Sequence, residues 1–211
     1  MDYLTNIMLE IVKFFYAIGG HNYGLAIIWL TIAVNIALYP LTVSSIQQMA
    51  AMQRIQPMMQ KIQDKHKENP QQLQKEMMDL YKIEKVNPLG GCLPMILKIP
   101  VFLALFFALQ SKEFLALIGD NNGFLWISNI AKPDPTFVMV ILIAVSTYLM
   151  QKSMPSTAAG SQMQIVTWMM PIFIAFISIS FSAGLQIYWV VSNMIGWAQQ
   201  VYIVNSMKRT R

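Results

Sequence analysis

Residues 92–110, CLPMILKIPVFLALFFALQ, constrain this chain more than any other stretch, because Lys98 is the single charge in nineteen otherwise uncharged and mostly apolar positions. At about 1.5 Å of rise per residue, a helix of that length crosses a hydrocarbon core of roughly 30 Å. A lysine near the middle of such a helix costs about 3 kcal/mol on insertion scales, so its presence needs a reason. Two readings follow. Lys98 lies six residues, or about 9 Å, from the Cys92 end, close enough for its four-carbon stem to reach back to interfacial water. Alternatively it faces a water-filled cavity inside a helix bundle and binds something negative. Pro94 and Pro100 flank it and each removes a backbone donor, which predicts an irregular helix around the lysine.

The remaining composition agrees with a membrane protein: 55% of the 211 residues are hydrophobic and 12% are charged, with a formal charge of +5. The basic residues are spread over helical segments and flanks, not gathered into a basic aromatic patch. This favours anionic lipid headgroups as partners over sequence-specific nucleic-acid recognition. Cys92 is the only cysteine, so no internal disulfide forms and no zinc site has a second thiol. Leu89-Gly90-Gly91-Cys92 resembles a lipobox, but it lies mid-chain with no signal peptide before it. No metal site, cofactor or catalytic residue is implied.

The fold class expected is all-α: a polytopic membrane protein with five transmembrane helices, a cytoplasmic helical hairpin and an N-terminal interfacial amphipathic helix. In residues 1–18, Leu4, Ile7, Met8, Ile11, Phe15 and Ile18 recur at spacings of three and four with polar residues between, the pattern of a helix lying in the interface. Gly19-Gly20 breaks it. The first span is 24–43, with Asn35 its one strongly polar interior residue, suited to an interhelical hydrogen bond. Residues 44–86 form the hairpin. Met49, Met52, Ile55, Met59 and Ile62 share one face, Asn69-Pro70 starts a second helix, and Leu73, Met77, Leu80 and Tyr81 share a face of that one. Pro57 is expected to kink the first hairpin helix. The apolar faces either pack on each other or, being rich in adaptable methionine, meet varied partners.

The second span is 92–110 and an extracytoplasmic loop occupies 111–135, where Phe124, Leu125, Trp126 and Ile127 dip into the interface. The third span is 136–150, a cytoplasmic loop is 151–161, the fourth span is 162–181, the fifth is 184–204, and the tail is 205–211. With the first helix outside, Arg54, Lys61, Lys65, Lys67, Lys75, Lys82, Lys85, Lys152, Lys208, Arg209 and Arg211 fall on one side. Only Lys13, Lys112 and Lys132 fall on the other. That asymmetry places the hairpin and the C-terminus in the cytoplasm and the N-terminus outside.

Three motifs carry a resemblance to a known family. YPLT at 39–42, NPLGGCLPMILKIPVFLALFFAL at 87–109 and GLQIYWVVSNMIGWAQQ at 184–200 resemble the YidC/Oxa/Alb membrane protein insertases, and the likeness covers essentially the whole chain. It implies a bacterial inner-membrane insertase and chaperone of a short form without a large periplasmic domain, an extra N-terminal span or a long basic tail. Members of that family are not enzymes. They are helix bundles around a hydrophilic groove, open to cytoplasm and lipid and closed outside, through which newly made membrane proteins pass.

The resemblance also implies site residues. In the family the groove position four residues before the tyrosine of the YPLT-like motif is usually arginine, and here it is Asn35. The position two before the second proline of the GGCxPxxxxxP motif is commonly glutamine, and here it is Lys98. Charge and amide have exchanged helices. Asn35 lies six positions from Leu41 and Lys98 six from Cys92, each near the inner end of its span and about 9 Å deep, so they are expected to be neighbours. Trp189 is the third groove position carried over. The hairpin and the 151–161 loop are expected to meet ribosomes, a signal recognition receptor or a Sec translocon through Met49, Met52, Arg54, Met58, Met59, Met77, Lys152 and Met154.

The main rival is a small transporter or channel for an anionic solute, which an intramembrane lysine also suits. It predicts inverted repeats, and none is visible. An intramembrane enzyme is weaker, because His21 and His66 lie outside the spans and neither HExxH nor GxSxG occurs.

Overall fold

The computed structural model describes residues 2–87, 90–91, 93–119, 122–153 and 161–209, and these are helical with short connections. Helices α1 (Asp2–Ile18) and α2 (Tyr23–Ala37) meet at a bend of 110°. Gly20 turns the chain there at φ 97°, a left-handed conformation that glycine adopts freely. Asn22 then caps α2, its side-chain oxygen accepting from the Leu25 N–H at 3.2 Å.

Helix α3 (Tyr39–Lys65) follows after Leu38 alone. The hairpin's first helix therefore begins at Tyr39, inside the stretch 24–43 assigned above to the first span. Pro40 explains the restart, since its missing N–H and fixed φ suit the first positions of a helix. The helix continues through Pro57, which is exposed and takes one backbone donor out of the helical ladder. Asn69 caps α4 (Pro70–Ile83) by accepting from Gln72 N–H at 3.1 Å, and α4 folds back on α3.

Helix α5 (Leu93–Gln110) carries Lys98 and has a mean hydropathy of 2.0. Only 22% of it is buried, which sets it apart from the core helix of a soluble protein; Met95, Ile96, Ile99 and Leu103 point outward. Within the stretch 111–135, expected as a loop, lies a seven-residue helix, α6 (Lys112–Ile118), started by Ser111 accepting from Phe114 N–H. Helix α7 (Val138–Ser153) packs against α8 (Ser161–Ser178). Helix α9 (Ala183–Arg209), which runs on past residue 204, packs against α2, α5 and α7 and is the element the bundle is built around.

Among the described residues two separate cores result. The larger gathers Leu9, Ile27, Leu105, Leu109, Ile130 and Leu185 from α1, α2, α5, the 122–134 segment and α9. The smaller lies inside the hairpin, with Met52, Ile55, Met59, Leu80 and Val86.

Candidate functional site: a polar interior around Lys98

Asn35 sits in the last full turn of α2 and is 1% exposed. Its Nδ2 donates to the Thr31 carbonyl at 2.8 Å, which turns Oδ1 toward α5. There the Lys98 ammonium donates to Asn35 Oδ1 at 2.8 Å and to Ser192 Oγ of α9 at 3.4 Å. Three helices thus converge on one cation. The C-terminal end of α2 adds a weak favourable potential, since its last carbonyls carry the negative end of the helix dipole.

Both partners of the ammonium are neutral. No Asp or Glu occurs anywhere in residues 24–43, 92–110, 136–150, 162–181 or 184–204. Among the described residues the ion pairs lie elsewhere: Lys13 with Glu10 and Glu113, and the rest along the hairpin, such as Arg54 with Glu84 at 3.0 Å. Among the described residues no acidic side chain pairs with Lys98, a half-buried positive charge.

Helix α9 extends this polar zone in both directions. Asn193 Nδ2 donates to Thr147 Oγ1 at 2.9 Å and to Ser146 Oγ at 3.2 Å, tying α9 to α7. Gln199 Nε2 reaches the Asn35 carbonyl at 3.4 Å, one of the acceptors the end of α2 leaves free. Gln200 is buried, and neither its amide nitrogen nor its oxygen has a hydrogen-bond partner among the described residues. Residue sequence alone pointed to none of these α9 amides. The signal was present in their spacing: Gln186, Asn193 and Gln200 recur every seven residues, as do Ser192 and Gln199, which keeps them near one side of the helix.

The other expected site residues are placed differently. Trp189 packs edge-on against Phe102 at 5.2 Å between ring centres and lies near-parallel to Phe181, while the Lys98 hydrogen bonds go to Asn35 and Ser192. Met52 and Met59 are buried in the hairpin's own core and Met77 packs against it. Met49 lies beside Gly91, Arg54 pairs with Glu84, and Met58 is exposed. Lys152 stands 5.8 Å from the Tyr148 ring. Met154 and Cys92 lie outside the described residues. Among the described residues no group of three His, Cys, Asp or Glu side chains is arranged to hold a metal ion.

The comparisons with known proteins agree in kind. A model of the 60Kd inner membrane protein family matches residues 14–210. Proteins named membrane protein insertase YidC from Geotalea daltonii and Geobacter sulfurreducens are each 39% identical over 204 residues, 97% of this chain and 38% of theirs. One from Psychromonas ingrahamii is 37% identical over 207 residues, 98% of this chain and 36% of its own. The chain therefore spans less than two fifths of these relatives' length. A crystal structure of an active YidC insertase, with its first transmembrane domain resolved, shares the fold with a TM-score of 0.74. It is 21% identical, over 93% of this chain and 45% of that one.

Proposed function

Because the chain belongs to the 60Kd inner membrane protein family, that of the YidC insertases, we propose that it inserts newly made membrane proteins into a bacterial inner membrane through the polar interior around Lys98. The observation that carries this reading is the ammonium at the junction of α2, α5 and α9, whose hydrogen-bond partners among the described residues are the neutral Asn35 and Ser192. An anionic or strongly polar flank of an incoming segment supplies the missing charge complement. The apolar part of the same segment then leaves sideways into lipid along the outward apolar faces of α5 and α8. Nothing covalent is needed. A charge partway across lowers the dehydration penalty of a short polar stretch, and a wet interior shortens the remaining path.

In this reading the five apolar segments span the bilayer, the α3–α4 hairpin and C-terminus are cytoplasmic, and the N-terminus is outside, as the lysine and arginine asymmetry supports. Asn35 and Trp189 flank the path. Ribosomes, a signal recognition receptor or a Sec translocon would dock on the hairpin through its exposed residues, such as Met58, and at Lys152 in the last turn of α7, which runs into the stretch expected as a loop.

The deciding experiment is insertion of a single-spanning client with an acidic leader into proteoliposomes. Wild type is compared with Lys98→Gln and with the double variant Asn35→Arg, Lys98→Gln. Loss of insertion in the single variant and recovery in the double would establish that the interior needs one positive charge, from either helix. Full insertion by Lys98→Gln would overturn the reading.

A further inference from the structure

The stretch that leads into α7 is inside out for a surface in water. Its one acidic side chain within residues 122–137, Asp134, is 4% exposed. Asp134 Oδ2 accepts from Met139 N–H at 3.0 Å, and Oδ1 accepts from the Thr136 hydroxyl at 2.7 Å and the Thr136 N–H at 3.0 Å. The large apolar side chains of the same stretch divide. Phe124 lies against Gly24, and Ile127 and Ile130 are buried, whereas Leu125, Trp126 and Phe137 point outward. Of the four residues expected from the sequence to enter the interface, Leu125 and Trp126 are placed to do so, and Phe137 joins them.

Two of these three side chains stand on strained backbone. Leu125, 76% exposed, and Phe137, 51% exposed, have left-handed conformations at φ 51° and 57°. That conformation is unfavourable for a residue with a Cβ, and an exposed leucine or phenylalanine is unfavourable in water. The fold imposes both. Phe124 and Ile127 exchange two hydrogen bonds of 2.8 Å across Leu125 and Trp126, and the Asp134 carbonyl accepts from Phe137 N–H at 3.4 Å. The Trp126 indole N–H reaches Asp134 Oδ2 at 3.5 Å, so the polar edge of the ring is satisfied within the protein and its apolar body is left for the surroundings. Asp134 thus binds both Trp126 and Phe137 from within.

The patch continues the outward side of α7. Val138, Ile141, Leu142 and Val145 are exposed along one side of that helix, and Phe137, whose carbonyl accepts from Ile141 N–H at 3.1 Å, stands at its head. From Val138 to Met150, its last apolar residue, α7 rises only about 20 Å, against a hydrocarbon core of roughly 30 Å. A span that short leaves lipid uncovered at its ends unless neighbouring residues extend it.

We propose that Leu125, Trp126 and Phe137 are a preformed lipid anchor, seated among acyl chains at the boundary of the outer leaflet and prolonging the lipid-facing side of α7 past its first residue. In lipid the exposure that is unfavourable in water becomes burial, which offsets the strain. The proposal rests on the reading that α7 spans the bilayer, and not on the client path. Its consequence reaches the polar interior: α7 is bonded to α9 through Asn193, and Ser192 of α9 meets Lys98, so an anchored α7 sets the depth of the cation.

The test uses the full chain carrying Cys92→Ser, purified and reconstituted in vesicles of phosphatidylethanolamine and phosphatidylglycerol. Single cysteines are introduced as Leu125→Cys, Phe137→Cys, Ile141→Cys or Lys112→Cys. A charged thiol reagent, admitted to both faces by freezing and thawing, reacts where water reaches the thiolate. Lys112→Cys, at an exposed charged position, is the water reference, and Ile141→Cys the lipid reference. Leu125→Cys and Phe137→Cys are expected to be protected like Ile141→Cys and to react at least about tenfold more slowly than Lys112→Cys, because thiolate is scarce in an apolar setting. Either one reacting as fast as Lys112→Cys would overturn the anchor while leaving α7 as a span. Fast reaction of Ile141→Cys would remove the spanning reading and the anchor with it. Protection that fades as the chain is diluted in lipid would assign the patch to a second copy of the chain and overturn the lipid assignment. Each variant must keep the wild-type thermal transition; if Leu125→Cys does not, Trp126→Cys decides by the same comparison.

Discussion

Lys98 and Asn35 illustrate what single residues disclose. Counting helical rise from Leu41 and from Cys92 makes the two neighbours, and their side chains meet at 2.8 Å, although α2 ends at Ala37, two residues past Asn35. That much was legible because helical rise is constant and each polar residue stands alone in its span. Asp134 was not legible. In sequence it is one more turn residue beside Pro133 and Pro135, and only the fold brings Met139 N–H, Thr136 and the Trp126 indole, at 3.5 Å, around its carboxylate. Burial pushes this carboxyl up, but the hydrogen bonds from Met139, from the Thr136 hydroxyl and N–H, and from Trp126 outweigh it and hold the group below its ordinary value of 3.8. A depressed carboxylate stabilises the fold above its unfolded pKa, and that contribution disappears as pH falls through the ordinary value toward the lower native one. Wild type should therefore lose thermal stability between about pH 6 and about pH 3, and Asp134→Asn should lose measurably less over the same interval. Thermal unfolding in detergent at several pH values checks this; identical slopes for the two chains would mean Asp134 contributes no such linkage.

At the scale of elements, the hairpin shows where periodicity stops being informative. Met52, Ile55, Met59 and Ile62 at spacings of three and four announce an apolar face, but the same face suits a partner protein or a second helix of the same chain. The structure gives it to α4: Met52, Ile55 and Met59 close on Leu80 and Val86, and Met58 and Met78 are left on the outside. This core is small and is separate from the main one, so the hairpin should open on its own. Ile55 is fully buried at its centre, and Ile55→Ala should destabilise the hairpin by about 2 to 5 kcal/mol. Limited proteolysis is expected to cut the variant rapidly near the α3–α4 turn while α5 to α9 stay resistant. Simultaneous loss of resistance throughout would show that hairpin and bundle unfold as one unit.

The molecule as a whole is apolar outside as well as in its core, with apolar side chains outward on α5 and α8 and a band of amides, hydroxyls and an ammonium inward where α9 meets α2, α5 and α7. In lipid there is no hydrophobic force between helices, so some interior hydrogen bonding is expected as adhesive, at about 0.6 kcal/mol per contact. Asn193 with Ser146 and Thr147 fits that role. Gln200 does not, since it is 1% exposed and neither polar atom of its amide meets a hydrogen-bond partner among the described residues. A group that adds desolvation without adhesion is one the fold would be more stable without. Gln200→Leu, close in volume, should therefore leave thermal stability unchanged or raise it by about 1 kcal/mol, because an unpaired buried amide is replaced by an apolar group of similar shape. If the polar interior is a path for clients, the same substitution should slow insertion, by making the stretch between Lys98 and the hairpin end less hospitable to water. The two readouts separate the alternatives. Greater stability with slower insertion means the interior is kept polar for transport at the expense of the fold. Lower stability means Gln200 has partners that hold the bundle together, and unchanged insertion means the path lies away from this face of α9.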